Sequence, residues 1–122
     1  MALFGRAPKK DQDLSPGVQF LVDQDGPMER TLKAKLVEFF SDVVQVEQAY
    51  FARVQFAGKV QSVALCVYGT PEMDAQLVLR GVSSVYSRLV PTDQGLQTIF
   101  LTPAQKVDIG KTCRPFFNRS KY

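Results

Sequence analysis

The chain has 122 residues, 45% of them hydrophobic and 22% charged, with a net charge of +3 and no histidine. This length and balance predict one folded domain with a core of its own, needing neither a metal nor a disulfide framework to hold it. The absence of histidine excludes the commonest general base and metal ligand at neutral pH, together with the serine–histidine and cysteine–histidine nucleophile pairs.

Residues 1–15, MALFGRAPKKDQDLS, are polar and aperiodic, and read as a mobile arm ahead of a domain spanning residues 16–118. They hold no apolar stretch of the secretory kind. Val18 to Val22 reads as a short strand closed by the turn Asp23-Gln24-Asp25-Gly26-Pro27. Met28, Leu32, Leu36, Phe39 and Phe40 then recur at intervals of three and four, which predicts a helix with one buried stripe and Pro27 in its first turn. Glu29 and Lys33 are spaced for an i,i+4 ion pair on its exposed side.

The pattern changes to a period of two in VEQAYFARVQF. Gln48, Tyr50, Ala52, Val54 and Phe56 share one face of a strand, and Glu47, Ala49, Phe51, Arg53 and Gln55 the other. Ala57-Gly58-Lys59 supplies a hairpin turn. The returning strand alternates Val63, Leu65 and Val67 with Ala64, Cys66 and Tyr68, so it is apolar on both faces and belongs inside the sheet. Cys66, within VALCVY, fits a small buried hydrophobe.

Thr70-Pro71-Glu72 reads as the cap and first turn of a second helix running to about Leu89, its apolar face made by Leu77, Leu79, Val82, Val85, Tyr86 and Leu89. Gly81, Ser83 and Ser84 are small enough for close packing. After the turn Thr92-Asp93-Gln94-Gly95, Leu96 to Leu101 reads as a strand, and Thr102-Pro103 opens a short last helix limited by Gly110 and Pro115. The order β-α-β-β-α-β-α predicts an α+β fold: a mixed or mainly antiparallel sheet around a central hairpin, with two or three helices packed on it.

The vocabulary of catalysis is thin. No glycine-rich phosphate loop is present, and Cys66 and Cys113 lack the spacing and partners of a zinc site, so no metal, cofactor or catalytic residue is assigned. Asp23 with Asp25 sits in a turn and Glu72 with Asp74 at a helix start, where local hydrogen bonding and the helix dipole account for both pairs. Cys113 beside Arg114 reads as an incidental thiol. No run approaches the ~20 apolar residues of a membrane span, and a reduced, cytoplasmic setting is expected.

Charge is concentrated at the C-terminal end. Lys106, Lys111, Arg114, Arg119 and Lys121 face only Asp108 there, and they alternate with Phe116, Phe117 and Tyr122. Lys111, Arg114, Phe116 and Phe117 form the candidate partner-binding set, with residues 119–122 as a basic tail. Such a set suits an acidic protein partner or, alternatively, a single nucleic-acid strand held by charge and stacking. The competing structural reading folds Phe116 and Phe117 back onto the core and leaves the charges solvated.

The succession of a helix, VEQAYFARV, Gly58, an apolar second strand, a long helix, a strand and a closing Pro115-Phe116-Phe117 resembles the C-terminal domain of the enhanced serine sensitivity protein B family of bacteria. Val46, Ala49, Tyr50 and Ala52 carry the likeness on the hairpin, over most of residues 28–118. The resemblance implies a small bacterial cytoplasmic domain with no enzymatic residues to carry over. Taken together, the expectation is a non-enzymatic interaction or regulatory domain, binding a protein partner or itself. One route considered is strand pairing through the edge of the Gln48/Tyr50/Ala52 strand.

Overall fold

In the computed structural model, residues 18–57, 59–90 and 96–119 are described. The expected arm at residues 1–15, the glycine of the hairpin turn, the Thr92–Gly95 turn and the tail beyond Arg119 lie outside them. The elements are β1 (Val18–Asp23), α1 (Pro27–Ser41), β2 (Val46–Phe56), β3 (Gln61–Gly69), α2 (Ala75–Leu89), β4 (Thr98–Phe100), α3 (Pro103–Ile109) and β5 (Phe117–Asn118). The fold is α+β, with three helices on a mixed five-stranded sheet.

The long hairpin is the centre of that sheet. β2 pairs antiparallel with β3 from Gln48↔Tyr68 to Gln55↔Gln61. The opposite edge of β2 is shared: β1 takes its second half, Val18↔Phe56 to Asp23↔Ala52, and β5 takes Gln48 and Ala49. β4 runs parallel to β3, Leu65↔Thr98 to Val67↔Phe100, so α2 serves as the crossover between parallel neighbours. The strand expected at Leu96–Leu101 is only three residues long, although Gln97 O and Leu101 N continue its bonding to β3. β5 has no counterpart in the expected order.

Period two sorts the hairpin into two cores. Ala49, Phe51, Leu65 and Val67 face α1 and α2, meeting Leu32, Leu36, Phe40, Val78 and Val82. Tyr50, Ala52, Val54, Ala64 and Cys66 face the other way, meeting Phe20, Leu101, Ile109 and Cys113. β3 is therefore covered on both sides, and Ala64 to Val67 have no exposure at all. A bulge between Val46 and Gln48 resets the phase, which is how Val46 joins Ala49 on the helix side.

Three local expectations are corrected. The second helix starts at Ala75, not at Thr70-Pro71: the Asp74 carboxylate accepts from the N–H groups of Gln76 and Leu77, at 3.0 and 3.2 Å. Thr70 is held instead in a turn, its N–H donating to Gln45 O and its carbonyl accepting from Met73 N, while its hydroxyl is buried without a partner. The buried line of α2 runs through Val78 and Val82, and Leu77 is 46% exposed. On α1, Lys33 reaches Asp25 at 3.5 Å and Glu29 accepts from Gln24 at 2.9 Å, so the i,i+4 pair gives way to contacts with the preceding turn. The short last helix follows its cap: Thr102 and Gln105 form a reciprocal capping box, and Gly110 closes the helix.

Candidate functional site

The four residues singled out at the C-terminal end are split by the fold. Phe117 is 1% exposed and sits in the helix-side core. Phe116 is half-buried, donates its N–H to Ala49 O and packs its ring on Phe40, 6.4 Å between centroids. Both phenylalanines thus fold back on the core, the structural one of the two readings. Lys111 and Arg114 remain exposed; the Lys111 ammonium lies 3.5 Å from Asp108, and the Arg114 N–H donates to the Asp23 carboxylate.

Two further cations of this end, Arg119 and Lys106, are also engaged in the fold. The Arg119 guanidinium donates to Val46 O at 2.7 Å, Phe40 O at 2.6 Å and Val43 O at 2.9 Å, with its central carbon over the Phe117 ring, 5.2 Å from the centroid. Lys106 lies over the Tyr68 ring, 5.1 Å from its centroid. Interleaved basic and aromatic residues here build contacts within the chain. The stripe of exposed stacking rings that a nucleic-acid strand would use is not formed by Phe116 and Phe117.

The titratable groups are similarly settled. Burial pushes the Cys66 thiol up to about 12 and raises that of Cys113, so both are held protonated. Desolvation likewise raises Tyr50. The Arg30 side chain holds the Asp25 carboxyl below its ordinary value, and the Gln24 amide does the same for Glu29. Among the described residues no group of three or more Cys, Asp or Glu could hold a metal, and no helix is long and apolar enough to cross a membrane.

Nor does the sheet offer the edge once considered. The Gln48/Tyr50/Ala52 strand is β2, paired on both sides, so augmentation through its backbone is ruled out. β1 is an outer strand, but a bulge interrupts it between Phe20 and Val22, and the Thr112 hydroxyl donates to Phe20 O at 2.8 Å. On β4 only Thr98 and Phe100 turn their main-chain groups away from β3, since Gln97 O and Leu101 N point toward it.

What remains is the outer surface of the two long helices. α1 and α2 meet where Gly81 lies under the Phe39 ring; a Cβ at this position would overlap that ring. This close approach leaves a groove of about 500 Å³, floored by Phe39, Gly81, Ser84, Val85 and Leu89, with Lys35, Glu38, Asp42 and Arg88 along its rim. Phe39, Val85 and Leu89 are half-buried, exposing apolar surface that the monomer does not cover. Lys35 and Glu38 approach to 3.9 Å, whereas Asp42 and Arg88 have no ion-pair partner among the described residues.

A second cleft, about 450 Å³, lies at the hairpin end between helices and sheet, where Met28 and Leu32 of α1 meet Tyr86 and Val90. It shows that the start of α1 neighbours the end of α2, so the helices are antiparallel. Sequence reading identified Gly81 and Ser84 as small packing positions but did not assign Lys35, Asp42 and Arg88 to one surface. The available signal was slight: Lys35, Glu38 and Asp42 surround Phe39 on the first predicted helix, whereas near Val85 only Arg80 and Arg88 are charged. No family model matches the chain, and neither a curated protein nor a solved structure is found to match it.

Proposed function

We propose that this chain is a non-enzymatic docking domain whose binding face is the groove between α1 and α2. One observation carries the reading: an apolar floor of Phe39, Val85 and Leu89 is framed by an acid, Asp42, and a base, Arg88, neither with an ion-pair partner among the described residues. An apolar centre with a charged rim is the composition of a protein-recognition patch. A groove between two helices accepts a third helix by its apolar stripe. A helical probe that would match this face carries leucines on one side, acidic side chains toward Lys35 and Arg88, and basic ones toward Glu38 and Asp42. The resemblance to a bacterial cytoplasmic domain without enzymatic residues is consistent with this role. The nucleic-acid alternative retains exposed Lys111 and Arg114 but lacks the Phe117 ring, so it ranks second.

The test is fluorescence anisotropy of a dye-labelled helical probe peptide of that design, titrated with the chain. Saturable binding is expected, lost on Val85→Glu and kept on Arg114→Ala. Absence of binding, or binding indifferent to Val85→Glu, refutes the assignment of this face. Tight, salt-sensitive capture of an oligothymidine lost on Arg114→Ala would promote the alternative.

A further inference from the structure

We infer that the natural occupant of the α1–α2 groove is the same groove of a second copy, related by a two-fold axis; this rests on the docking reading above and names its partner. The groove is polar along its length. Because α1 and α2 are antiparallel, Arg88 lies toward the Lys35 end and Asp42 toward the other, with Glu38 one turn from Lys35 and 3.9 Å from its ammonium. Lys35 and Asp42 are seven positions apart on or just beyond α1, roughly 10 Å at 1.5 Å per residue. A surface with a basic end and an acidic end is complementary to itself after a half-turn about an axis through its middle. That is the isologous arrangement, in which each contact is made twice.

The half-turn brings Arg88 of one copy against Asp42 of the other, twice, joining the two rim charges that lack ion-pair partners among the described residues. It also stacks the floors of Phe39, Val85 and Leu89 over one another. Ser84, a small exposed residue of the lining, adds little bulk between the two copies. Each helix has 15 residues, so the pair presents a face of roughly 22 Å by 20 Å. That is about 440 Å² before side-chain relief, below the ~800 Å² that a partner contributes to a standard interface and in the range of a weak, reversible pairing. A parallel stacking of two copies would set like charges together at both ends, which disfavours that alternative.

Sedimentation velocity over a concentration series tests the pairing. The native chain should be a reversible dimer whose dissociation constant rises with salt. Arg88→Asp and Asp42→Arg should each weaken it at least about tenfold, the worth of a charge reversal in a close pair. The double variant should recover to within about threefold of native, because the swapped charges again oppose one another. Val85→Arg, with an unchanged far-UV circular dichroism spectrum, should give a monomer. A chain that stays monomeric up to about 1 mM overturns the inference, as does a dimer that ignores all four variants. If the chain is monomeric yet binds the helical probe peptide through Val85, the docking reading stands and only self-association falls. If both measurements fail, the reading itself falls.

Discussion

The Arg119 side chain donates to the Phe40 carbonyl at 2.6 Å, across 79 positions of sequence. α1 has no basic residue in its last turn, and the cation that its C-terminal carbonyls favour is delivered from the far end of the chain. The same guanidinium also binds Val43 O and Val46 O, so one side chain ties the end of α1, the connection after it and the start of β2 to β5. Charge-assisted bonds of this kind contribute about 1.5–3 kcal/mol each at the upper end of measured values and are not additive. Arg119→Ala should therefore lower stability by about 2–4 kcal/mol in urea unfolding. Arg119→Lys should restore less than half of that, because an ammonium lacks the planar fork that reaches three carbonyls. A loss below ~0.5 kcal/mol would show the latch to be idle.

Gly81 and Phe39 give a prediction whose sign reverses with background. Replacing an interior helical glycine by alanine ordinarily gains about 1 kcal/mol. Here the added methyl overlaps the Phe39 ring, and overpacking costs about 1–3 kcal/mol. Gly81→Ala alone should be destabilising. In a Phe39→Ala background the same change should be stabilising, since the obstructing ring is gone. A double-mutant cycle by thermal or urea unfolding reads both signs; equal effects in the two backgrounds would contradict the contact.

The start of α2 is a third test. Asp74→Ala removes the acceptor for two backbone N–H groups and should cost about 1 kcal/mol. Asp74→Asn should cost much less. Glu72→Ala, on an exposed turn residue, should stay within about 0.5 kcal/mol. Urea midpoints for the three variants decide whether the cap is Asp74 or lies earlier.

These residues also mark what could be read without coordinates. The hairpin was legible because its side chains alternate over eleven and nine residues, a signal set by the strand itself. Thr102-Pro103 was legible because its capping box is local. Thr70-Pro71 carried a similar local signal and misled, since the backbone of Thr70 bonds to Gln45 and keeps it out of the helix. β5 was invisible: two residues have no period, and their pairing with β2 depends on a return of the chain over about 70 positions. For the same reason Arg119 read as part of a basic tail, although its partners are carbonyls, which leave no mark in sequence. The groove rim was hidden in a different way. Lys35, Asp42 and Arg88 are ordinary surface charges on two helices, and only the antiparallel packing of those helices assembles them into a polar axis.

Cys66 makes stability depend on alkaline pH. Its thiol is fully buried, and desolvation raises its pKa from 9.0 to about 12. The sign follows from proton binding in the two states. Between these values the folded chain keeps the proton and the unfolded chain loses it, so unfolding releases a proton and stability falls as pH rises. The contribution is intact below about pH 8.5, where the free thiol is also protonated, and declines at up to ~1.4 kcal/mol per pH unit above it. Cys113 and Tyr50, raised chiefly by burial as well, act in the same direction. Urea midpoints of the native chain should thus be level from pH 7 to about 8.5 and drop steeply by pH 10. Cys66→Ala should start lower at pH 7, by about 1–2 kcal/mol for the small cavity it leaves, and then fall less steeply between pH 8.5 and 10. Parallel pH profiles for the two chains would show that the Cys66 thiol does not carry the effect.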